Sequence, residues 1–168
     1  MIVEVIGFFL LLCQLLLVSV IDIQTRKISN YWALCNSVLF LFLLIVYPEY
    51  YKASWIFALY VFGVLAVSFI LFLFKIMGAG DGKYLFSIFL LIPSILHRLF
   101  LEYLLVSTII IALGLFLYNV LSNSKTIYNC FKIMDFSGMS PVFGKKFPYA
   151  PVILVSWIFL GWKRKILF

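Results

Sequence analysis

Residues 53–74 read ASWIFALYVFGVLAVSFILFLF, 22 positions without a charge. About 20 apolar residues of helix cross the ~30 Å hydrocarbon core of a bilayer. Only helices and closed barrels satisfy their backbone polar groups in lipid. The run lacks the two-residue alternation of a barrel strand, so it reads as a membrane-spanning helix. Outward from it, five further apolar segments follow the same rule. Ile2–Ile21 is interrupted only by Glu4 and Gln14, and Tyr31–Tyr47 follows it. Beyond the charge-free run come Tyr84–Leu96, short and containing Pro93, then Tyr103–Val120, then Tyr149–Trp162, which opens beside two prolines. Proline is at home in a helix's first turn. The fold class expected is all-α, a polytopic membrane protein with six transmembrane helices.

Composition excludes the other classes. Sixty-six per cent of the 168 residues are apolar or aromatic and 11% are charged, with a mean hydropathy of +1.20. Soluble domains carry roughly 45–50% and about 25%. A chain this small could not bury so much apolar surface in water, and disorder requires low hydrophobicity. Residues 1–168 therefore form a single transmembrane domain, with no separate soluble domain expected. The start lacks a basic n-region and a small-residue cleavage site, so it reads as a retained span. The net charge of +7 belongs to membrane anchoring, because no basic stripe or nucleic-acid module is present. Cys13, Cys35 and Cys130 form no CxxC pair, and His97 is the sole histidine. A structural zinc site takes four such ligands, so no metal, no cofactor and no disulfide framework is expected.

Basic residues in loops set orientation. With six spans and an outside N-terminus, Arg26, Lys27, Lys75, Lys83, Lys125, Lys132, Lys145 and Lys146 lie inside. Lys52, Arg98, Lys163, Arg164 and Lys165 lie outside. If Tyr84–Leu96 only dips into the membrane, five spans give the same eight-to-five ratio. Both topologies place the loops around Arg26 and Lys83 in the cytoplasm.

Asp22 closes the first span, and Asp81 stands in Gly78-Ala-Gly80-Asp81-Gly82-Lys83 before the fourth. Two crossings separate them, so both carboxylates meet the same membrane face. Ionisable groups beside hydrocarbon are costly and point to function. A close carboxylate pair shares a proton. Its ionised member takes a proton from water, and its neutral member donates to a scissile carbonyl. That suits peptide hydrolysis. Glycines beside Asp81 permit unusual backbone angles or a close approach, while Lys83 and Arg26 favour ionisation of a neighbouring carboxylate. The plainer alternative is a pair of boundary residues, with Asp81 capping a helix.

At these residues the chain resembles the type IV prepilin peptidases, membrane aspartyl proteases of the GxGD group. Gly78-x-Gly80-Asp81-x-Lys83 is similar to their GxGD-x-K signature. Asp22-x-x-x-Arg26-x-Ile28-x-Asn30 resembles their first motif, D-x-x-x-R-x-I-P-N, with Ser29 in the place of proline. Pro148-Tyr149-Ala150-Pro151 resembles the motif that opens their last helix. The resemblance implies that Asp22 and Asp81 are the catalytic pair, and that the substrates are pilin-like precursors whose leaders are hydrolysed at the cytoplasmic face of a bacterial inner membrane. It favours six spans, which bring Pro148–Pro151 to the aspartates' face. In that case Tyr84–Leu96 must cross, although its 13 residues supply only about 20 Å of helix. Larger members carry an N-terminal part, often with paired CxxC motifs, that accompanies N-methylation. Lacking these, the chain resembles the short branch that serves Flp/Tad-type pili, and no methyltransferase activity is expected. Asp135 reads as a solvated loop residue, His97 as interfacial, and Glu4 as lying at outer headgroup level. The competing readings are a non-catalytic membrane scaffold with the same fold and, last, a small transporter, disfavoured because the third and fifth spans are apolar at mid-bilayer.

Overall fold

The computed structural model describes residues 2–51, 54–74, 76–124 and 148–164. Asp135, Cys130 and most of the long connection Leu121–Lys146 lie outside the described residues. Among the described residues there are six α-helices: α1 Ile2–Thr25, α2 Asn30–Val46, α3 Trp55–Leu73, α4 Ala79–Leu91, α5 His97–Ser122 and α6 Ala150–Lys163. A 3-10 turn, Ser94–Leu96, joins α4 to α5. No strand occurs among the described residues. The fold is all-α. Three segments, Ile6–Thr25, Trp55–Leu73 and Ser94–Ser122, are long and apolar enough to cross a membrane. Large apolar side chains such as Leu10, Ile45, Trp55 and Leu121 point outward, which marks lipid as the solvent and the chain as a polytopic membrane protein.

The helices pack as two groups of three. Helices α2 and α3 lie on α4, and α1 and α5 lie on α6. In each group the shortest helix is central. Helix α4 buries Tyr84, Leu85, Ile88, Phe89 and Leu91, and α6 buries Val152, Ile153, Trp157 and Leu160. Directions follow from the contacts. Asp22 meets Ala150 while Phe8 stacks on Trp157 with ring centroids 5.0 Å apart, so α1 and α6 are antiparallel. Gly82 lies against Ser68, and Phe86 against Phe62, so α3 and α4 are antiparallel. Gly80 meets Ile28 and Ser87 meets Asn36, so α2 and α4 are parallel.

The fourth element differs from the sequence expectation of Tyr84–Leu96. It starts at Ala79, taking Asp81 and Lys83 into its first turns, and ends at Leu91 before Pro93. A helix this short ends within the protein, where its last carbonyls need partners. They have them. The Tyr51 hydroxyl donates to the Leu91 carbonyl (2.9 Å). His97 Nε2 lies 2.9 Å from the carbonyls of both Phe89 and Ile92. His97 is thus wholly buried, among Phe57, Tyr60 and Phe89, and not interfacial. Helix α5 begins at this histidine, ahead of the expected Tyr103. Helix α1 runs past Ile21 to Thr25, so Asp22 sits inside its last turn.

Candidate active site

Both aspartates occupy helix ends on one side of the bundle. Asp22 is 2% exposed. Its Oδ2 accepts the Ala150 backbone N–H at 2.9 Å, across 128 residues of sequence. Ala150 is the first residue of α6, and its amide is one of the donors a helix leaves unpaired within itself. One turn after Asp22 the chain must leave α1. The Arg26 N–H donates to the Asp22 carbonyl (2.8 Å), and Arg26 takes a φ of 53°. That left-handed conformation costs a non-glycine residue roughly 1–2 kcal/mol. The four-residue spacing of Asp22 and Arg26 is this helix end.

Asp81 lies in the first turn of α4, half-exposed. Its Oδ2 accepts the Gly78 N–H at 3.0 Å, a local cap. The flanking glycines each serve a neighbour. A Cβ at Gly78 would lie 2.9 Å from the Asp81 carboxylate, and one at Gly80 would lie 2.6 Å from the Ile28 carbonyl oxygen. Gly80 therefore lets the connection after α1 touch the start of α4. The sequence suggested a positive φ or a passing substrate. No described glycine has a positive φ, and the close approach is to the protein's own backbone.

A cavity of about 580 Å³ opens beside these residues, with Asp81, Gly78, Gly80, Lys83, Arg26, Lys27 and Asn30 in its wall. Phe72, Ile76 and Met77 supply an apolar side. Asp22 does not line it. The start of α6 lies near both aspartates instead. The Ala150 amide binds Asp22. The Tyr149 hydroxyl is hydrogen-bonded to the Thr108 side chain and lies within reach of the Asp81 charge. Pro148 and Tyr149 precede α6, and Pro151 sits in its first turn. The structure brings all ten singled-out residues to one end of the bundle.

The departure at Ser29 is conformationally mild. Ser29 has φ −68° and ψ 139°, angles a proline adopts, and its hydroxyl accepts the Tyr31 N–H at 3.4 Å as the N-cap of α2. Thr108 was missed in the sequence. Its signal was a polar residue midway along an apolar helix.

Comparison with known proteins decides the family. The sequence matches the type IV leader peptidase family over residues 9–117. That is 109 of 168 positions and includes both aspartates. The chain belongs to the type IV leader peptidase family. The family is one of peptidases, so its members are hydrolases. No curated protein and no solved structure matches the chain. The match ends before Pro148–Pro151, so the place of that motif in the site rests on geometry, chiefly the Ala150–Asp22 hydrogen bond.

Proposed function

We propose that this type IV leader peptidase homologue is an aspartyl endopeptidase that removes the leader from pilin-like precursors, with Asp22 and Asp81 as its catalytic pair. The observation that carries the reading is that both stand at helix ends on one side of the bundle, Asp22 on the Ala150 amide that opens α6 and Asp81 in the first turn of α4. One carboxylate takes a proton from the water that attacks the scissile carbonyl. The other donates a hydrogen bond to the carbonyl oxygen, and the departing amine leaves with a proton. The cavity wall at Gly78–Asp81 offers the substrate a place beside Asp81. This chemistry uses no metal and no cofactor. The chain holds no CxxC pair, and we assign hydrolysis without N-methylation.

Six crossings fit the packing. Helix α4 tracks α3 from Ser68 near the aspartates to Phe57 at the far end, where His97 stacks. A segment that merely dipped would stop short of that end. The site then faces the cytoplasm of a bacterial inner membrane, with Arg26, Lys27 and Lys83 around it, and the N-terminus lies outside.

A scaffold reading draws on one fact, namely that both carboxylates cap helices. Asparagine keeps an acceptor oxygen for a cap but cannot exchange a proton. Asp22→Asn and Asp81→Asn, each coexpressed with a pilin-like precursor bearing a basic leader, should insert at normal levels and leave the precursor uncleaved on a gel. Full cleavage by either variant would favour the scaffold.

A further inference from the structure

About 10 Å inside the aspartate end, a chain of polar side chains, half-buried at Gln14 and buried beyond it, crosses the bundle. Gln14 Nε2 donates to Asn36 Oδ1 at 2.6 Å. Asn36 Nδ2 donates to Ser87 Oγ at 3.1 Å, and Ser87 Oγ donates to the Tyr84 carbonyl at 2.7 Å. Asn36 is 2% exposed and Ser87 is wholly buried. The sequence reading noted Gln14 only as an interruption of the first span, and passed over Asn36 and Ser87.

The chain joins helices that otherwise belong to different groups. Helix α1 packs chiefly on α6, whereas α2 packs on α4. Gln14 is on α1, Asn36 on α2 and Ser87 on α4. Gln14 precedes Asp22 by eight residues, about 12 Å of helix, and Ser87 follows Asp81 by six, about 9 Å. The chain therefore ties the helix that carries one aspartate to the helix that carries the other, at nearly equal depth below both.

We infer that Gln14, Asn36 and Ser87 are positioning residues that fix the register of α1 against α4, and so the placement of Asp22 relative to Asp81. The inference rests on the proposed aspartate pair. The residues around Gln14 that α1 buries are Leu11, Leu15 and Val18. Such side chains slide past apolar neighbours with little discrimination. An amide does not. Moving α1 along its axis by one turn, 5.4 Å, would part Gln14 from Asn36 and leave an amide unpaired in hydrocarbon. Hydrogen bonds between membrane helices add little to stability, because the separated helices find other partners. A single buried polar residue is nonetheless known to fix register in coiled coils at a cost in stability. The chain acts on register in the same way.

The test separates register from stability. Single substitutions such as Asn36→Leu orphan a partner and risk misfolding. The triple variant Gln14→Leu/Asn36→Leu/Ser87→Ala orphans no side chain, and replacing all partners by apolar groups is close to neutral. It should insert and unfold thermally like the parent. Its kcat on a pilin-like precursor should fall on the order of 100-fold, as misplaced catalytic groups do, with KM unchanged. Geometry is read without chemistry by Asp22→Cys/Asp81→Cys in a background with Cys13, Cys35 and Cys130 replaced by alanine. A short bifunctional thiol reagent should link the pair when the polar chain is intact, and much more slowly in the triple variant. Equal linking with and without the chain, or unchanged kcat, overturns the inference alone. No linking even with the chain intact overturns the aspartate pairing and the inference with it.

Discussion

The N-termini of α4 and α6 solve one problem in two ways. Each begins a short helix enclosed by two longer ones, and each places a backbone N–H on an aspartate oxygen. Helix α4 uses its own carboxylate, three residues away, through Gly78 and Asp81. Helix α6 borrows Asp22 from α1, with its Ala150 amide. The first cap is local and partly exposed. The second is long-range and buried. A local cap fixes one turn of backbone, whereas the borrowed one fixes two helices against each other. One aspartate therefore organises a loop and the other organises the bundle, although the proposed chemistry uses them as equals.

The contrast breaks most sharply at Gly80. Gly80→Ala would set a methyl 2.6 Å from the Ile28 carbonyl oxygen, a backbone atom that cannot turn away. The segment after α1 and the start of α4 must then separate. Precursor cleavage should drop on the order of 100-fold, and stability by about 1–3 kcal/mol, the cost of overpacking. The control is Gly161→Ala, which presses on the Phe8 ring at the opposite end of α6. It should lower stability similarly and spare most of the activity. Matched cleavage measurements and thermal unfolding in detergent check both. Normal cleavage by Gly80→Ala would remove the α1–α4 contact from the account.

A smaller effect distinguishes the caps themselves. Asp22→Ala leaves the buried Ala150 amide without its acceptor and should cost about 1–3 kcal/mol. Asp81→Ala exposes the Gly78 amide to water and should cost only about 0.5–2 kcal/mol, typically ~1. Denaturant or thermal unfolding of the two variants should rank Asp22→Ala as the less stable. The opposite order would mean that the borrowed cap does not hold α6.

The two ends were unequally legible in the sequence. The glycine-flanked Asp81 is a contiguous motif, and its helix start follows from local rules. The partner of Asp22 lies 128 residues away, and no local pattern announces it; only the resemblance to a family motif drew attention to Pro148–Pro151. Helix boundaries failed for a related reason. Hydropathy starts α4 at Tyr84 because Gly, Asp and Lys dilute its first turn, and extends it through Pro93 because Ile95 and Leu96 are apolar. The end of α4 is set by Pro93 and by capping partners, Tyr51 from before α3 and His97 from the first turn of α5. His97 was misplaced on the same ground, since a histidine beside Arg98 looks exposed until its two carbonyl partners are seen. The six apolar segments, by contrast, were all readable as helices, because each is a local run of apolar residues.

The smallest effect concerns Ser29. Its φ of −68° already suits proline, so Ser29→Pro should change stability by less than about 1 kcal/mol and leave cleavage intact. Thermal unfolding and the gel assay check it, and a large loss would show that the hydroxyl cap on Tyr31 matters more than its 3.4 Å length suggests.

The central claim is that a buried aspartate and a rim aspartate act as one catalytic unit. Single-turnover cleavage of a pilin-like precursor by Asp22→Asn, Asp81→Asn and the double variant tests it most directly. The account predicts that all three share the same residual rate, because losing either member removes the joint function. Rate losses that multiply in the double variant, or a single variant that cleaves at the parent rate, would contradict it.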